Sequence, residues 1–266
     1  MTAILNAFLI IAGLGAVLGL GLAIADRKLT SPKDSKLEEL EGMMPGANCG
    51  GCGFAGCSAY AAAVYQGKVL PGLCSPGGEE LAKRMAQVLG VEVKMAQKKV
   101  AYIFCSGDCE STTKEFDYKG IPDCNAASIL FRGDNGCKSG CLHLGSCMSV
   151  CTTGAIKRKE NGALEVDASL CQGCGSCTKV CPNGVIKLIP ADSQYVVACN
   201  SHEKGSEVRK VCKVGCIGCR ICETKFPEAG FTVDQNLATL DYDKASLEEV
   251  CKAAQACPRH IIRKRV

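Results

Sequence analysis

The chain has 266 residues, a formal net charge of +4, 22 Cys, no Trp and only 5% aromatic residues. So weak a positive balance gives no footing for nucleic-acid binding, and so little aromatic bulk leaves small cores that need other support. The cysteines fall in tight C-x-x-C-x-x-C runs, which argues for shared metal centres and against a disulfide scaffold.

From Ala7 to Ala25 (AFLIIAGLGAVLGLGLAIA) no side chain is polar, and about 20 apolar residues is the length of a bilayer-spanning helix. Ala23-Ile24-Ala25 has the form of a signal-peptidase site, yet no Lys or Arg precedes the run as a secretory signal requires. Arg27, Lys28, Lys33 and Lys36 follow it instead, which predicts a single-pass anchor over residues 1–25 in the cytoplasmic membrane, with the long C-terminal part on the cytoplasmic side. Gly15 and Gly19 form a small-x-x-x-small pair suited to a partner helix in lipid.

A linker (26–42) is expected next, with a helix opened by Ser31-Pro32. A four-cysteine module (43–95) follows. Its closing helix sets Leu81, Met85, Val88 and Leu89 on one face and stops at Gly90. A cysteine-bearing insertion (96–136) starts with a buried strand, KKVAYIFC. An internal repeat then appears. GCKSGCLHLGSCMSVCTTGAI (136–156) resembles VCKVGCIGCRICETKFPEAGF (211–231), and each copy follows an apolar run ending in cysteine, Cys105 or Cys199. The repeats predict a ferredoxin-like domain at 137–190, a connecting segment at 191–211 and a further ferredoxin-like domain at 212–266. The fold class expected is α+β: a single N-terminal transmembrane helix followed by an iron–sulfur module and tandem small ferredoxin-like domains.

Cys171, Cys174, Cys177 and Cys181-Pro182 read C-x2-C-x2-C-x3-C-P, the bacterial two-cluster ferredoxin run. Three of its thiolates cap one cubane and the fourth serves a second cluster, whereas zinc would want separated C-x-x-C pairs. The partner run offers Cys141, Cys147 and Cys151, with Leu144 at the remaining ligand position. One cluster is therefore assigned to Cys151, Cys171, Cys174 and Cys177. The other goes to Cys137, Cys141, Cys147 and Cys181, with Cys137 standing in for the missing ligand. Cys49, Cys52, Cys57 and Cys74, spaced C-x2-C-x4-C-x16-C in a glycine-rich loop, suit one more cubane.

The last repeat is edited. Cys216, Cys219 and Cys222 keep the spacing, but Phe226 stands before Pro227 where a fourth cysteine is due. Counting back from Cys257-Pro258 gives Leu247, Val250 and Ala253. All ligands of one cluster are thus replaced by apolar residues, while Cys216, Cys219, Cys222 and Cys257 remain for the other. One retained cubane and one site refilled with hydrocarbon is the expectation. Cys105, Cys109 and Cys124 allow a further cluster with Cys137 or Cys199, and no register rule fixes it; Cys212 and Cys251 read as inert thiols. His143, His202 and His260 are far apart and read as structural, and no nucleotide loop or catalytic dyad is present.

This combination of apolar N-terminus, CGGCGFAGC module, two-cluster run and VRKVCKVGCIGCRIC unit resembles one family, the B subunit of the Rnf (Rsx) electron-transport complex, over essentially the whole chain. The resemblance implies a subunit with at least four [4Fe-4S] clusters that accepts electrons from reduced ferredoxin. It would relay them to membrane and flavin-bearing partners in a ferredoxin:NAD+ oxidoreductase that pumps Na+ or H+, with no complete active site in this chain. Two other readings are a membrane-tethered ferredoxin serving a soluble reductase or redox sensor, and a zinc-stabilised membrane adaptor.

Overall fold

After residue 98 the described strands are only three to five residues long and pair in twos. The structure, a computed structural model, describes residues 2–29, 34–93 and 97–265. Helix α1 (Thr2–Leu29) opens the chain, and its Ile11, Leu14, Val17, Leu20 and Leu22 are exposed. Among the described residues no helix is long and apolar enough to cross a membrane, which overturns the expected transmembrane anchor.

The expected helix start at Ser31-Pro32 lies outside the described residues. Helix α2 (Ser35–Met43) is capped by Asp34, whose carboxylate accepts the Lys36 N–H at 3.1 Å. Its Leu40 packs with Tyr60 of α3 (Cys57–Tyr65) and with Leu81 and Met85 of α4 (Gly78–Leu89), forming a separate small core. Gly90 ends α4 in the left-handed conformation, φ 67°, which a side chain would resist.

The remainder is two copies of one unit. The first runs β1 (Lys99–Ile103), α5 (Cys124–Ile129), α6 (Ser146–Ser149), β2 (Ile156–Arg158), β3 (Leu164–Val166), α7 (Ser176–Val180) and β4 (Ile186–Pro190). The second runs β5 (Tyr195–Val197), α8 (Gly205–Val211), α9 (Ile221–Thr224), a 3-10 turn at Pro227–Ala229, β6 (Phe231–Asp234), β7 (Leu237–Leu240), α10 (Leu247–Ala256) and β8 (Ile262–Lys264). In each copy the first and last strands pair antiparallel, Ile103 against Ile186 and Val197 against Ile262, and the middle strands form a hairpin. Strands β1 and β5, in the segments read from sequence as an insertion and a connector, thus close the two repeats. Val100 and Ile189 of the first copy share one core with Val196, Phe231, Leu237, Val250 and Ile262 of the second, so the copies are welded rather than strung on a linker.

Candidate iron–sulfur sites

In the N-terminal module, side chains fix where the cysteines sit. Asn48 Oδ1 accepts the Cys57 N–H at 2.8 Å, anchoring the loop to the start of α3. The buried Tyr60 hydroxyl accepts the N–H groups of Gly72 and Leu73 at 3.1 and 3.2 Å, which holds the segment leading to Cys74. Burial pushes the Cys74 thiol up, and the charges of Cys52, Cys57 and Cys49 add to the rise. The four cysteines of this module therefore lie within electrostatic reach of one another.

Three small hollows of similar size, each partly open to solvent, lie in the two repeats. The first is lined by Cys151, Cys171, Cys174 and Cys177 with Ala101, Ile156 and Val166. The second is lined by Cys124, Cys141, Cys147 and Cys181 with Ile103, Leu142 and Val185. The third is lined by Cys216, Cys219, Cys222 and Cys257 with Val233, Ala238 and Ile261. Four sulfurs on apolar walls is the environment of a buried thiolate-ligated cluster. Backbone N–H groups already point at sulfur: Ala101 donates to Cys171 Sγ at 3.3 Å and His143 to Cys141 Sγ at 3.4 Å.

The charge logic agrees with the shape. Burial pushes the Cys177 thiol up to about 12, and Cys171 and Cys174 add their repulsion. Cys147 and Cys222 are each pushed up to about 11 by burial, with Cys124 and Cys181 acting on the first and Cys216, Cys219 and Cys257 on the second. Four thiolates in so small an apolar space need a compensating cation. All 22 cysteines are free thiols. Among the described residues no three Cys, His, Asp or Glu groups converge as closely as a single metal ion needs. A tetrathiolate zinc draws its sulfurs onto one ion at about 2.3 Å, whereas a cubane spreads them over four iron corners. The chemistry of these donor sets fits [4Fe-4S] clusters.

Cys124 occupies the position that the sequence assigned to Cys137. Asp123 caps α5 by accepting the N–H groups of Asn125 and Ala126, both at 2.9 Å. Ser146, at the start of the helix bearing Cys147, donates to Asp123 and accepts the Cys124 N–H, both at 2.7 Å. Cys124 is thereby tied to Cys147, and the only sequence signal is the Asp-Cys pair at a helix start. Cys137 does not line the hollow; its near thiols are Cys199 and Cys212. Cys109 is exposed, and Cys251 lies beside Tyr195. His143 is a structural contact, with Nε2 3.0 Å from the Gly107 carbonyl and its pKa lowered by burial.

The edited site is filled as a core. Val250 and Ala253 are 2% and 1% exposed, and Phe226 packs half-buried against the core that contains them, but Leu247 is 50% exposed. Leu247 sits in the first turn of α10, which leaves the core there and places it beside a cleft with Tyr195 and Tyr242.

Two family models match: one described as "Putative Fe-S cluster" over residues 44–76, and a "4Fe-4S binding domain" over residues 164–187. The B subunit of the ion-translocating oxidoreductase complex of Methanosarcina acetivorans is 39% identical over 97% of this chain and 97% of its own length. The chain belongs to the family of Rnf complex B subunits. Other members are the B subunits of the Na+-translocating ferredoxin:NAD+ oxidoreductase complex of Acetobacterium woodii and of the proton-translocating complex of Clostridium ljungdahlii. Each is 36% identical, over 97% and 99% of this chain and 78% and 93% of their own lengths respectively. Some relatives in the family match over much less of the chain, as in Magnetococcus marinus, 38% identical over 37% of this chain. As a member of this family, the protein carries [4Fe-4S] clusters and transfers electrons within an ion-translocating oxidoreductase complex.

Proposed function

We propose that this Rnf subunit takes electrons from reduced ferredoxin and passes them along a row of cubanes to flavin-bearing and membrane subunits of the complex, where NAD+ is reduced and an ion is moved. The ligand sets are Cys49, Cys52, Cys57 and Cys74; Cys151, Cys171, Cys174 and Cys177; Cys124, Cys141, Cys147 and Cys181; and Cys216, Cys219, Cys222 and Cys257. The observation that carries the reading is the contact between the first two sites. A β-carbon on Gly51 would lie 2.7 Å from the Cys174 carbonyl oxygen, and Lys179 Nζ donates to the Cys49 carbonyl at 3.1 Å. The loops that would hold two of the clusters thus lie against each other, which makes those two sites neighbours for electron exchange. Ion translocation has meaning only across a membrane, so the complex is membrane-associated. The test is anaerobic stopped-flow mixing of reduced ferredoxin with the purified full chain. Ferredoxin oxidation matched by cubane EPR signals in this chain is expected. A chain that takes no electrons, or one that holds zinc in place of iron, would sink the proposal.

A further inference from the structure

Four cysteines outside these ligand sets come from equivalent places in the two repeats. Cys105 and Cys199 each follow the first strand of a copy, β1 or β5. Cys137 and Cys212 each stand in a Cys-Lys-x-Gly-Cys run, ahead of Cys141 and Cys216. The equivalence extends to hydrogen bonds. Cys141 N–H donates to Cys105 Sγ at 3.4 Å, and Cys216 N–H donates to Cys199 Sγ at 3.3 Å.

The backbone brings the four segments together. Ser106 N–H donates to the Ala198 carbonyl at 3.0 Å, and Gly136 N–H to the Thr113 carbonyl at 2.8 Å. Thr112 and Cys212 form an antiparallel bridge, and Asn200 reaches the Ser139 carbonyl at 3.4 Å. Glycines keep the space around the sulfurs open. A β-carbon on Gly107 would come 3.4 Å from Cys105 Sγ, and one on Gly215 would come 3.5 Å from Cys212 Sγ and 2.5 Å from Val208. Each thiol feels others of the set: Cys105 those of Cys137 and Cys199, and Cys137 those of Cys199 and Cys212.

We infer that Cys105, Cys137, Cys199 and Cys212 hold a fifth [4Fe-4S] cluster, each repeat supplying two ligands, at the junction between the two ferredoxin-like units. Thiols from four segments converge there, and N–H groups are already aimed at two of the sulfurs, which is the hydrogen bonding that tunes cluster sulfurs. The N–H donors belong to Cys141 and Cys216, ligands of the clusters on either side. The fifth cluster therefore links the two units, accepting an electron from one neighbour and giving it to the other. That linking role rests on the relay proposed above; the iron content does not.

The full chain, reconstituted anaerobically with iron and sulfide, is expected to hold about 20 irons as five cubanes. Cys137→Ala and Cys212→Ala should each lose about four, and the double variant still only about four, because both act on one cluster. Cys109→Ala and Cys251→Ala should lose none. A wild-type content of about 16 irons, a Cys212→Ala chain with undiminished iron, or a double variant losing about eight would each overturn the inference. Should an alanine variant fail to fold, the wild-type count from Mössbauer spectroscopy decides on its own. Ferredoxin failing to reduce a chain with 20 irons would count against the relay and leave the fifth site standing.

Discussion

Replacing Val250 by Ala tests whether the second cluster site of the last repeat is now a hydrocarbon core. Val250 lies on α10 and is 2% exposed, among Val196, Phe231, Leu237 and Ile262. Two methyl groups are lost and one hydrogen-bearing carbon stays, so transfer alone costs about 1.6 kcal/mol at roughly 0.8 per buried carbon. The cavity left behind raises this to about 2–3 kcal/mol. Phe226→Ala would reach about 3–5 kcal/mol in a fully closed core, but Phe226 is half-buried, so about half that is expected. The two sites share one core, so the double variant should cost less or more than the sum by a measurable amount. Denaturant titration of the cluster-loaded chain reads the cost, and iron analysis runs beside it. Lowered stability with unchanged iron is expected for both. Loss of about four irons from Phe226→Ala, with an unshifted denaturation midpoint, would refute the account.

Cys124→Ala should remove about four irons, read by iron analysis, because Cys124 lines the hollow with Cys141, Cys147 and Cys181; full iron content would return that hollow to three protein ligands. Gly51→Ala forces a β-carbon to within 2.7 Å of the Cys174 carbonyl oxygen. Neither backbone can yield cheaply, so the loops should part at a cost of about 1–3 kcal/mol, with slower electron exchange between the adjoining clusters in stopped-flow. Unchanged stability would mean that the two loops do not touch. The iron-stripped chain should weaken in alkali. Burial raises the folded thiols of Cys105 and Cys177 to about 12 and of Cys147 and Cys222 to about 11, above an unfolded thiol near about 8.5. Their contribution is whole below the unfolded value and is lost as pH rises through the folded ones. Melting temperatures at about pH 8 and about pH 10 should therefore diverge for the stripped chain. The loaded chain, its ligands already ionised, should barely change.

The sequence by itself determined what is local. The C-x2-C-x2-C-x3-C-P run, the C-x2-C-x4-C-x16-C module and the edited positions at Phe226, Val250 and Ala253 are each read within one segment or by a fixed count along a repeat. The α4 face of Leu81 and Met85 and its stop at Gly90 were legible for the same reason, since helical period and a left-handed cap act over a few residues. Membrane passage read from Ala7 to Ala25 did not survive: among the described residues no helix is long and apolar enough to cross a membrane. Leu247 followed the count yet faces out, because a helix can leave the core within one turn. Only the tertiary structure decided which distant thiols share a site. Cys124 reaches Cys147 through the Asp123–Ser146 hydrogen bonds, and Cys105, Cys137, Cys199 and Cys212 meet because strands β1 and β5 open equivalent repeats that share one core. A cluster's fourth ligand depends on proximity in space, and no spacing rule along the chain encodes a contact made by folding two repeats against each other.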